Sequence, residues 1–91
     1  MKIKKGFILR EMSKEEGLSV VVGVGANAEK LNGYLTLNES GALIWKTLSK
    51  GASVDEVVKV MLDEYDAPED LIRKDVLSVI EKLKEIGAID D

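Results

Sequence analysis

Three stretches carry residue types and spacings that could do chemistry. Ser40 stands beside Glu39 in "LNESGALIW" (37–45), where a strand-like pattern turns into a helical one within two residues. A serine nucleophile needs a base to take its proton. The chain has no histidine, and a Ser-x-x-Lys pair is ruled out because Leu43 fills that offset. Ser40 therefore reads as part of a first helical turn capped by Asn38, with Gly41 permitting close packing. The second stretch, "VVVGVGANA" (20–28), sets Gly23-x-Gly25-x-x-Ala28 behind a strand, as a dinucleotide fingerprint would. That motif works only when a helix begins there and an acidic residue holds the ribose about 20 residues on. Asn32-Gly33 follows too soon for a full helix, and no acidic residue stands near position 45. A glycine turn is the better reading. Third, "DEYDAPED" (63–70) gathers five acids, but an EF-hand loop needs alternating acids and a sixth-position glycine, and neither is present. Two helix ends meeting in solvent account for these charges.

What is missing narrows the chemistry further. Without cysteine there is no disulfide, thiolate metal site or cysteine nucleophile, a composition that suits the cytoplasm. Without histidine the commonest general base near neutral pH is lost. No catalytic residue, cofactor or metal is expected. The net charge of -4 disfavours nucleic acid unless cations cluster strongly. The basic start "MKIKKGFILREM" loses its apolar run at Arg10 and Glu11, too soon for a signal peptide, and no stretch reads as a membrane span.

The elements that must position any site follow from periodicity. "FILREM" (7–12), "LSVVVGV" (18–24) and "YLTL" (34–37) alternate as strands, and in the second Leu18, Val20, Val22 and Val24 share a face. Short turns between them predict an antiparallel meander. From Asn38 the period becomes helical. A first helix with Leu43, Ile44, Thr47 and Leu48 inward, and Trp45 as a large core or rim residue, stops near Gly51. "SVDE" (53–56) is a capping box that opens a second helix carrying Val54, Val57, Val58, Met61, Leu62 and Tyr65. A third helix starts around Pro68 and ends at Gly87. The predicted class is α+β, a three-stranded antiparallel sheet followed by three helices, in a single domain over residues 1–91.

The third helix is the most informative. At 100° per residue Ile72, Val76, Val79 and Leu83 make a core stripe. Beside it runs a strip of Arg73, Leu77, Ile80 and Lys84, half apolar with a cation at each end. It reads either as a wide core face with snorkelling cations or as a groove wall for an apolar segment bearing carboxylates.

"LNESGALIW", "KGAS" before the second helix, "EYD" after it and "DVLSVIEKLKEIGAI" near the end together resemble the PqqD family, the pyrroloquinoline quinone biosynthesis protein D family. The likeness runs from about Phe7 to Ile89, and it is the order and spacing of these short motifs that carry it. The resemblance implies a winged-helix-like domain, without catalysis of its own, that recognises the leader of a ribosomally made precursor peptide. The leader would add as a strand to the third strand and be presented to a modifying enzyme, such as a radical S-adenosylmethionine enzyme. On that reading Tyr34, Leu35, Thr36 and Leu37 supply the pairing edge, and Arg73, Leu77, Ile80 and Lys84 the opposite wall. An open edge beside an apolar groove is what strand addition requires.

Two other classes are open to the sequence. A winged-helix DNA-binding regulator would present a basic third helix. Here Arg73, Lys74, Lys82 and Lys84 face Glu69, Asp70, Asp75, Glu81 and Glu85, which leaves no basic excess. A small protein-protein scaffold is the other. The expected state is a monomer, with strand exchange between copies as the route to a dimer.

Overall fold

The computed structural model describes residues 1–13, 15, 17–24 and 35–90. In chain order the elements are β1 (Lys2–Ile3), β2 (Phe7–Ser13), β3 (Leu18–Gly23), β4 (Leu35–Leu37), α1 (Glu39–Ser49), α2 (Val54–Glu64), α3 (Glu69–Glu85) and β5 (Ile89–Asp90). β2, β3 and β4 form the predicted antiparallel sheet in that order, and the three helices follow.

Alternation decides which side of the sheet meets the helices. Phe7, Val21 and Leu37 are buried, and Ser19 is buried with them. Ser19 lies opposite Leu37, and Val21 opposite Leu35. The valines that the sequence groups together, Val20, Val22 and Val24, thus lie on the face away from the core. β-branched content identifies a strand without telling which of its faces will be covered. The outer face stays partly apolar, with Ile8 and Val24 exposed.

In α1 the buried side chains are Ala42, Ile44, Trp45 and Leu48, while Leu43 and Thr47 are only half-buried. Trp45 is a core residue. In α3 the core takes Ile72, Val76, Ile80 and Leu83 and leaves Val79 half-buried. Val79 and Ile80 flank the stripe on opposite sides of the helix wheel, and here the packing comes from the side of Ile80.

Helix ends follow their caps. The Asn38 side chain accepts from the Gly41 N–H at 2.9 Å and from the Ser40 hydroxyl at 2.9 Å. At α2 the Glu56 N–H donates to Ser53 Oγ at 3.2 Å, and the Ser53 N–H donates back to Glu56 Oε1 at 3.1 Å. Ser53→Ala removes half of this box and is expected to cost about 1 kcal/mol of stability in urea unfolding. Peptide affinity should not change.

One feature lies beyond the periodicity. After α3, Gly87 at φ 75 turns the chain back, and β5 pairs antiparallel with β1, Ile3 opposite Ile89. The Lys4 N–H donates to the Ala88 carbonyl at 2.7 Å, and the Ala52 N–H to the Met1 carbonyl at 2.9 Å. Residues 1–4 are thereby tied to the helical layer.

Candidate functional site: the third strand of the sheet and the third helix

β4 is an edge strand. One side pairs with β3, and among the described residues no strand covers the other. Leu37 is buried and Leu35 half-buried against the core, so alternate side chains anchor the strand while Thr36 stays exposed. What remains free is the backbone row, whose N–H and C=O groups can accept a further strand. Tyr34, expected on the same edge, lies outside the described residues.

The joint at Asn38 fixes where this edge ends. A Cβ at Gly41 would come within 3.2 Å of Leu37 Cβ and Cδ2 and 3.3 Å of Asn38 Oδ1. Glycine therefore lets the first turn of α1 press against the end of β4. Ser40 is spent on the cap rather than on any reaction. The abrupt corner positions a strand edge.

The four α3 residues separate on folding. Ile80 is buried at 3% exposure, so it belongs to the core and not to an exposed strip. It shares the one core cluster of the domain with Leu37, and Leu35 packs against that cluster. Leu77 is 47% exposed. Arg73 reaches Asp55 of α2 at 2.9 Å and Glu69 of its own helix at 3.8 Å, so its charge is already engaged. Lys84 is exposed. The Asp55 contact, eighteen residues away in sequence, has no local signal by which it could be foreseen. Leu71, exposed at 55% on the same helix, also went unmarked because it falls outside both stripes.

A cleft of about 370 Å³ opens elsewhere, between the β2–β3 turn, the start of α1 and the end of α2. Glu11, Glu39 and Glu64 line it with Lys46 and Tyr65. Burial raises the Tyr65 phenol above its usual range, and the Glu39 and Glu64 charges add to this. The folded state therefore holds this proton more tightly than the unfolded chain. The resulting stabilisation is full below the unfolded value near 10 and is lost as pH rises through the folded value. Tyr65→Phe is expected to flatten the stability–pH curve above pH ~10, as read by melting temperature. Among the described residues no group of three or more His, Cys, Asp or Glu side chains is placed to hold a metal ion. No helix among them is long and apolar enough to cross a membrane.

Comparison with known proteins identifies the family and the fold. Residues 19–89 match the family of Coenzyme PQQ synthesis protein D (PqqD). No curated protein matches the chain. The fold is similar to that of TbiB1, solved in complex with the TbiA(beta) leader peptide. That similarity has a TM-score of 0.71 and 22% identity, over 99% of this chain and 100% of that one. It is also similar to lasso peptide synthetase B1, solved with its leader peptide. There the TM-score is 0.71 and the identity 23%, over 96% and 93% of the two chains.

Proposed function

The chain belongs to the PqqD family, and on that premise we propose that it is a non-catalytic binding module that captures the leader of a precursor peptide and presents it to a modifying enzyme. The leader adds as a strand to the free side of β4. Leu77 and Lys84 on α3 meet its side chains, and Ile80 forms the apolar floor beneath them. Arg73 stands on the same helix with its guanidinium already paired to the exposed Asp55. The domain is a monomer in the cytoplasm, and a radical S-adenosylmethionine enzyme is the partner that the family resemblance suggests.

The single observation that carries this reading is the uncovered edge of β4, on a sheet that shares its core with α3. Two structures of the same fold that hold leader peptides support it. A DNA-binding role finds less support, since the exposed acids of α3 leave its surface without a basic excess.

Calorimetric titration tests the proposal with the leader of a short open reading frame beside this gene. One peptide per chain should bind with a negative heat-capacity change, as apolar burial requires. A scrambled leader of the same composition should bind at least tenfold more weakly. Equal binding of the two would sink the reading.

A further inference from the structure

The sheet has two edges, and the proposed function uses one. β2 forms the other, seven residues long, and among the described residues no strand covers its outer side. β2 also has a helix beside it. Phe7, Ile8 and Leu9 line a trough together with Trp45, Lys46 and Ser49 of α1 and its C-cap Lys50. We propose that this trough is a second strand-accepting site, which takes an extended segment of the modifying enzyme with carboxylates on alternate residues.

Charge and spacing select that occupant. In a protein of net charge -4, this trough offers Lys46 and Lys50. They stand four residues apart, roughly 6 Å along the helix. Alternate residues of an added strand stand roughly 6.7 Å apart, a spacing close to that of the two lysines. Lys50 has no side-chain partner among the described residues. Lys46 holds Glu11 at 3.2 Å, but both side chains are more than half exposed, so the pair can be exchanged for another carboxylate at little cost. On the far side of the sheet the added strand would meet Ile8, 39% exposed, and extend the apolar row that Ile8 makes with Val22. The occupant is therefore two-sided, acidic toward α1 and apolar toward the outer face.

A second copy of this chain fits less well. Its β2 brings one carboxylate, Glu11, on the inward side, and that group already has a lysine. The register shift between Glu11 and Ser13 also distorts that half of the edge, as bulges on edge strands do to limit self-pairing. Phe7 to Leu9, in the regular half, are the residues that share the trough with Trp45 and Lys50.

This inference deepens the proposed function, since it gives the module one edge for the peptide and one for the enzyme. The test uses the full chain, labelled with nitrogen-15, and a capped octapeptide of alternating glutamate and valine. Binding should slow hydrogen exchange at those amides of Phe7 to Ser13 that point away from β3, and should shift the signals of Lys46 and Lys50. Lys46→Glu with Lys50→Glu should weaken binding at least tenfold. Lys50→Glu alone, which breaks no ion pair, should weaken it several-fold. A lysine–valine octapeptide should bind at least tenfold more weakly than the glutamate one. Equal affinity for the two octapeptides, protection on β4 instead of β2, pairing of β2 between two copies, or no binding at millimolar peptide would each overturn the inference. If the leader still protects β4 while the octapeptide fails, this inference falls alone. If the leader fails to protect β4, the proposed function falls whatever the octapeptide does.

Discussion

Ile80→Ala should destabilise the domain by about 2–5 kcal/mol, the usual cost of truncating a buried isoleucine and leaving part of its volume empty. A domain of this size is held by roughly 5–15 kcal/mol in all, so the loss is a large share. The midpoint of thermal unfolding should fall by about 4–8 °C for each kcal/mol lost. Leu77→Ala, one turn away, should change stability by no more than about 0.5 kcal/mol, because Leu77 already meets solvent. Comparing the two melting curves decides whether Ile80 and Leu77 divide between core and surface as described. Equal losses would mean that Leu77 is buried too and cannot meet a ligand.

Leu77→Asp should leave the fold intact and weaken leader binding by about 1–3 kcal/mol, roughly 5- to 150-fold. The reason is asymmetric. In the free protein the carboxylate would stand in water, since Leu77 is 47% exposed. On binding, a covering peptide would strip that water and give the charge no partner. Titration calorimetry on the folded variant reads the loss. A variant that binds as well as the parent would remove Leu77 from the site.

Much of this architecture is legible in the sequence because its signals are local. The Ser53 capping box, the Asn38 cap and the Gly87 stop each act within a few residues, and each appears where its pattern places it. What escaped depends on partners distant in sequence. Whether Val79 or Ile80 enters the core depends on which side the neighbouring elements pack, and the helix wheel treats the two nearly alike. Val20 and Val21 both suit a strand; only the helical layer selects Val21. β1 and β5 are two residues each, too short to show an alternating pattern, and they form because α3 returns the chain to residues 2–3. Arg73 reads as a free cation until α2 is packed and Asp55 comes within reach. The candidate site is thus legible in outline, as a strand edge and a helix that share one core. Which of the α3 residues are buried, exposed or ion-paired is set by tertiary contact.

Hydrogen exchange on the complex tests the central claim most directly. Leader added to saturation should slow exchange at the amides of Tyr34 to Leu37 that point away from β3, since a new strand would hydrogen-bond them. The amides of β2 should exchange as they do in the free protein. Leader that binds with no change along Tyr34 to Leu37, or with its protection on β2, would contradict strand addition at β4.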